Sequence, residues 1–269
     1  MTYRPVVVAS LVALAFVLAP SCATSPEGRR QLIIMPESQM NAMGTQAFGE
    51  MKAKTTIETN PAVTAYVRCV AQKVVDVVKA RQGGGDWEIV VFRDSQINAF
   101  ALPGGKIGVY TGILPVAKTQ HQLAAIIGHE VGHVLARHGN ERVSETLAAQ
   151  GGLIAASAAL NKEGSTRTAI LAALGLGAQY GVLLPHGRTQ ESEADIIGLD
   201  LMAQAGFDPR ESVELWKNMG AAGGGQPPEF LSTHPSHETR ISGLQSRMNT
   251  ASATFQQARA AGKHPNCQM

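Results

Sequence analysis

Apolar and polar positions change period several times along the 269-residue chain, and each change marks an element. After MTYRP comes the apolar run VVVASLVALAFVLA, shorter than the roughly 20 residues that a membrane span needs. From Pro61 the apolar side chains fall at Val63, Val67, Val70, Val74, Val77 and Val78, the stripe of an amphipathic helix that the glycines at 83–85 end. WEIVVF at 87–92 and KIGVYTGIL at 106–114 are rich in strand formers and flank a Pro-Gly-Gly turn, so they predict a small sheet. A bounded helix then runs from Thr119, set with Gln122 in capping-box spacing, to a C′ glycine at Gly139. The apolar runs at 151–160 and 168–185 are too short or too interrupted to span a membrane and predict buried or amphipathic helices. A second bounded helix covers 189–205 and stops at GFDP, and a Gly- and Pro-rich loop at 221–240 precedes a last helix. No unit recurs with a period of roughly 20–50 residues, which argues against an appended helical-repeat domain.

These elements predict an α+β fold, mainly helical, with a small β-sheet beside the helix at 119–139. A chain of this length buries a core without help from a metal, so a metal here would serve chemistry. Lysine plus arginine number 23 against 21 acidic residues, with no run of five like charges, which excludes a nucleic-acid footprint. The positive, apolar and small-residue order of residues 1–21 is that of an export signal. LAPSC resembles a bacterial lipobox, which would make Cys22 the lipidated residue, anchor the chain to a membrane, and leave 22–60 as a tether and first helix. Cys69 and Cys267 then remain, and an oxidising compartment favours their pairing, which would fasten a C-terminal tail at 251–269 to an early helix.

The chemistry lies in IIGHEVGHVLARHG. His129 and His133 are four apart and share a helical face, with Glu130 between them: two imidazoles for one zinc ion and a carboxylate placed to act on water. From composition, about 0.01 such matches are expected by chance. Gly128 and Gly132 each cost about 1 kcal/mol against alanine within a helix, which suggests close packing beside the site. His138 falls five residues after His133 and reads as a helix C-terminal side chain facing the last carbonyls. A third ligand is needed, and RTQESEAD offers three carboxylates. Glu191 and Asp195 share a face, whereas Glu193 points roughly 200° away, so Glu191 is the predicted ligand and Asp195 the residue that orients a histidine.

GHEVGHVLARH, followed by RTQESEADIIG and STHPSHETRI, resembles the HtpX and CAAX-prenyl-protease family of gluzincin metallopeptidases, and NAFALPGGKIGVYTGIL resembles its strand leading into the active-site helix. The resemblance implies a zincin-type peptidase domain over 61–250, one zinc ion on His129, His133 and Glu191, and catalytic roles for Glu130 and Asp195. Glu130 would take a proton from water, and Glu130 or Asp195 would protonate the leaving amine. It also implies that His234 approaches the metal, either as a latch or to stabilise the oxyanion, a role open to Arg240 as well. Polypeptide substrates would add to the strand edge at 106–111. The leader and the lack of repeats are similar to the periplasmic LoiP-like branch, and Ala23 favours the outer membrane. The expected function is hydrolysis of unfolded or misassembled envelope proteins, and the alternative is a membrane-tethered chaperone or assembly factor with a latched zinc site.

Overall fold

The computed structural model describes residues 22–82, 85–158, 187–222, 230, 234 and 238–269; the leader at 1–21 and the run at 168–185 lie outside them. Strands β1 (Cys22–Thr24) and β2 (Arg30–Leu32) form an antiparallel hairpin, followed by helices α1 (Glu37–Lys54) and α2 (Pro61–Gln82). Strands β3 (Glu88–Phe92), β4 (Ala99–Leu102) and β5 (Lys106–Tyr110) form a sheet in the order β3-β5-β4, β5 lying parallel to β3 and antiparallel to β4. Helices α3 (Gln120–Leu135), α4 (His138–Ala158), α5 (Arg188–Gln204), α6 (Glu211–Ala222) and α7 (Glu238–Ala260) complete the fold, and no described helix is long and apolar enough to cross a membrane.

Both faces of this sheet are covered, which is why its strands read as nearly continuous apolar runs rather than alternations. Ile89, Val91, Ala99, Ile107 and Val109 face the main core with α2, α3 and α5; Val90, Phe92, Phe100, Leu102 and Tyr110 pack beneath Phe48 of α1. The β4–β5 turn needs positive φ at Gly104 and Gly105 (83° and 70°), conformations that glycine alone adopts at little cost. Opposite Phe100, a Cβ on Gly108 would lie 2.2 Å from the ring, so the glycine makes room for the aromatic cluster.

Several expectations change. Strand β5 is paired on both sides, so 106–111 offers no free edge; β3 and β4 are the outer strands of this sheet, and of the two β3 meets Ile57 in an isolated bridge at Phe92. The segment 22–60 is not a loose tether: Arg29 of the hairpin pairs with Glu141 and Glu193, and Gln31 donates to the Ala136 carbonyl. Two three-residue strands carry no hydrophobic alternation, so their sequence looks like a loop. Helix α3 ends at Leu135, not at Gly139, because Arg137 takes the positive-φ position (55°) expected of the glycine. At its N-terminus Thr119 accepts from the Gln122 amide as predicted, while the Gln122 side chain accepts from the amide of Lys118. Helix α7 runs through 250 to Ala260, so the tail proper is shorter than 251–269.

Cys69 and Cys267 are bonded, across 198 positions of sequence. The tail they hold also reaches α3: the Gln120 side chain donates to the Pro265 carbonyl and accepts from the Cys267 amide. Breaking a closed loop of this length should lower stability by about 2–5 kcal/mol. Urea denaturation of Cys267→Ser beside the wild type, with and without reductant, measures it; equal midpoints would count against a stabilising bridge.

Candidate metal centre

Helices α3 and α5 pack closely because their facing positions carry almost no side chain. A Cβ on Gly128 would lie 2.7 Å from the Gly198 carbonyl oxygen, one on Gly132 would lie 2.8 Å from the Ala194 carbonyl oxygen, and one on Gly198 would lie 2.6 Å from the His129 nitrogen. The two glycines suspected from the sequence are thus the contact itself, with Gly198 as a third member. This approach sets Glu191 and Asp195 of α5 against the histidines of α3.

The donor atoms converge. His129 Nε2 lies 3.0 Å from His133 Nε2, His133 Nε2 lies 3.3 Å from Glu191 Oε1, and His129 Nε2 lies 3.5 Å from Glu191 Oε2. His234 joins them, its Nδ1 3.2 Å from His129 Nε2 and 3.1 Å from Glu191 Oε1. Ligands about 2.0–2.2 Å from a tetrahedral ion are separated by about 3.3–3.6 Å, so these spacings are close to the edges of one coordination tetrahedron. All four residues are buried, and nitrogen and carboxylate donors of this kind fit one zinc ion per chain. The sequence named His234 only as an auxiliary; the fold places it in the donor set.

The remaining polar groups hold these donors in place. His129 Nδ1 donates to Asp195 Oδ1 (2.9 Å), leaving Nε2 for a metal. Arg240 donates from Nε to Asp195 Oδ2 and from Nη2 to Oδ1, both at 2.6 Å, and its Nη1 lies 2.6 Å from Glu191 Oε2. Its guanidinium also stacks over Trp216, 3.8 Å from the ring centre. With its donors turned to two carboxylates and only 2 % of its surface exposed, Arg240 is a clamp behind the site rather than an oxyanion donor. Asp195, held between His129 and Arg240, is likewise placed to orient His129 rather than to protonate a leaving amine. His138 lies at the start of α4 instead of the end of α3, fully buried, between His133 and Glu193.

Burial opposes charge throughout the site, and specific partners decide which groups stay ionised. Burial works against Glu191, yet His234, His129 and His133 together take its carboxyl far below the usual range. Burial also resists ionisation of His129, but hydrogen bonds to Asp195 and Glu191 prevail and raise it to about 9. His133 goes the other way, held well below its ordinary value by burial. Glu130 is raised, chiefly by burial, as suits a general base working near neutral pH.

Glu130 faces a cleft bounded by α1, β4, α3 and α4, lined also by Met40, Phe100, His133 and His234. Ala101 of β4 lines the same cleft as Glu130, whose Oε1 is buried without a hydrogen-bond partner among the described residues and has His234 Nε2 3.4 Å away. The unpaired side of a strand, a carboxylate acceptor and the metal donors therefore meet in one cleft.

The model of peptidase family M48 matches residues 61–248. The chain is 42% identical over 182 residues to the mitochondrial metalloendopeptidase OMA1 of Schizosaccharomyces pombe, covering 66% of this chain and 51% of that protein. It is 33% identical over 234 residues to the mitochondrial metalloendopeptidase OMA1 of Bos taurus (81% and 44%), and 25% identical over 217 residues to the β-barrel assembly-enhancing protease of Escherichia coli K12 (77% and 43%). The chain thus spans about half the length of these relatives. Their names overturn the expected location: mitochondrial eukaryotic proteins match at higher identity than the bacterial ones, so an exported bacterial lipoprotein of the outer membrane is not sustained. A short apolar run behind one positive charge specifies no compartment, and lipidation of Cys22 rested on that leader together with the resemblance of LAPSC to a lipobox. The expected gluzincin metallopeptidase family stands as peptidase family M48, while these relatives do not bear out the finer HtpX and LoiP-like branch.

Proposed function

The chain belongs to peptidase family M48, and on that premise we propose that it is a zinc-dependent endopeptidase acting on unfolded or misassembled polypeptides. The observation that carries this reading is the position of Glu130, beside the metal donors and at the edge of β4 in a single cleft. His129, His133 and Glu191 hold the ion, which supplies Lewis acidity toward water and the peptide carbonyl. Glu130 accepts the proton of the attacking water and returns it to the departing amine. Asp195 and Arg240 keep His129 and Glu191 in register with that exchange.

Substrate binds as an extended strand along β4, its main chain meeting the unpaired edge and its apolar side chains meeting Met40 and Phe100. Such pairing selects exposed, extended backbone over a fixed sequence, which favours chains that have failed to fold. The names of the relatives, a metalloendopeptidase and a β-barrel assembly-enhancing protease, support polypeptides as the substrate class. The direct test is cleavage of an unfolded protein such as reduced casein by the purified chain, its loss with a chelator and its return with zinc. Stoichiometric zinc with no cleavage of any unfolded substrate would overturn the peptidase reading.

A second reading, an assembly factor whose zinc site is latched and weakly proteolytic, is favoured by one observation. His234 lies 3.1–3.2 Å from donors of two other ligands and 3.4 Å from Glu130 Oε1, where a water or a carbonyl would have to enter. If His234 is a latch, His234→Ala raises the casein cleavage rate with zinc retained; if it stabilises the oxyanion, the same variant lowers it. Initial rates at matched zinc content separate the two.

A further inference from the structure

The two metal-binding histidines of α3 are oriented by different means. For His129 the supporting carboxylate is in direct contact: Asp195 takes the Nδ1 proton at 2.9 Å. At His133 Nδ1 the neighbour is another imidazole, His138 Nδ1, at 2.8 Å. The far nitrogen of His138, Nε2, is 3.1 Å from Glu193 Oε2. Glu193 in turn accepts from Arg29 Nε at 2.9 Å, and Arg29 also pairs with Glu141.

Only one pattern of protons satisfies this chain when His133 binds a metal. Its Nε2 faces the other donors and must carry a lone pair, so Nδ1 carries the proton and donates. His138 Nδ1 must then accept, which puts the His138 proton on Nε2, directed at Glu193. Every donor has an acceptor, and the sequence His133, His138, Glu193 is the carboxylate–histidine–metal arrangement with one imidazole inserted. The three links come from α3, from the first residue of α4 and from α5, and the fourth from the β1–β2 hairpin. His138, Glu193 and their hydrogen bonds are buried, so water does not compete for them.

We propose that His138 and Glu193 are positioning residues for His133, and that Arg29 makes the N-terminal hairpin part of the metal site. This rests on the assignment of His133 as a metal ligand. The hairpin is then not an attachment segment but the outermost support of the centre: Arg29 fixes Glu193, Glu193 fixes the ring of His138, and His138 fixes the tautomer and tilt of His133.

The readout is metal binding itself. Zinc affinity, measured by competition with a chromophoric chelator, should fall about 10–100-fold in His138→Ala and Glu193→Ala, the usual loss when such a partner is removed. Glu193→Gln, which keeps an acceptor oxygen, should recover part of that loss, and Arg29→Ala should show a smaller loss because it acts one bond farther out. In the cobalt-substituted protein the visible absorption bands of His138→Ala should shift from those of wild type, a signature that a purely structural role would not produce. Melting of the metal-free proteins separates folding from binding, and Glu193→Gln serves if His138→Ala does not fold. Wild-type affinity and wild-type cobalt bands in both Glu193 variants would overturn the proposal, whereas wild-type protein that takes up no stoichiometric metal would overturn the assignment of the site beneath it.

Discussion

Glu130→Gln should lower peptide hydrolysis by roughly 10²–10⁴-fold, the usual contribution of a general base, and should leave zinc bound. The two halves of that result have separate causes. Glu130 is not among the residues whose donors converge, so removing its charge leaves His129, His133 and Glu191 as they are. The loss is confined to proton transfer, because a glutamine of the same shape fills the same place in the cleft but cannot take a proton from water. A variant that loses zinc together with activity would show that Glu130 serves the metal and not the water. A variant that keeps full activity would place the base elsewhere, and among the described residues lining the cleft His234 is the next candidate. Combining Glu130→Gln with His234→Ala distinguishes these: release of a latch cannot restore turnover when the base is absent.

The parts of the fold that were legible in the sequence are those governed by short-range periodicity. The valine stripe of α2, the capped start of α3 and the shared face of Glu191 and Asp195 depend on residues three or four apart, and spacing alone determines them. The strand order was not legible, since insertion of β5 between β3 and β4 depends on pairing across the sheet and two-sided burial removes the alternation that would reveal an edge. His138 shows the same limit at the site. Five residues after His133 it matched no ligand spacing, and the reading that Glu193 points away from the metal was sound, yet the pair meet because α4 begins at His138 and turns its ring toward α5. The signal that could have found them was a second buried acid on α5 with no role, beside a histidine also without one. For Arg240 the sequence indicates a group near the metal but not which side of the imidazole it approaches; in the fold its donors meet Asp195 and Glu191.

Gly198→Ala should both destabilise the protein and weaken zinc binding by more than about 10-fold, although alanine is the better helix former. Exchange of glycine for alanine within a helix is worth about 1 kcal/mol in favour of the variant. At Gly198 the added methyl would lie 2.6 Å from the backbone nitrogen of His129 and 2.7 Å from the carbonyl carbon of Gly128, and backbone atoms cannot turn aside as a flexible side chain can. Overpacking of this kind costs about 1–3 kcal/mol, so the net effect is a loss. The only relief is separation of α3 from α5, and those two helices carry His129, His133 and Glu191. Sites of this type work within about 0.5 Å of their proper geometry, so a shift that relieves the contact removes Glu191 from reach of an ion held by the histidines. Gly243→Ala is the matched control: in α7, with nothing within 4 Å of the added methyl, it should raise stability by about 0.4–1 kcal/mol and leave zinc affinity unchanged. Chelator competition and thermal unfolding of the two variants measure both effects. Wild-type affinity in Gly198→Ala would mean that the ligand geometry is held by Arg240 and the histidine contacts, and that the bare helix contact matters only to stability.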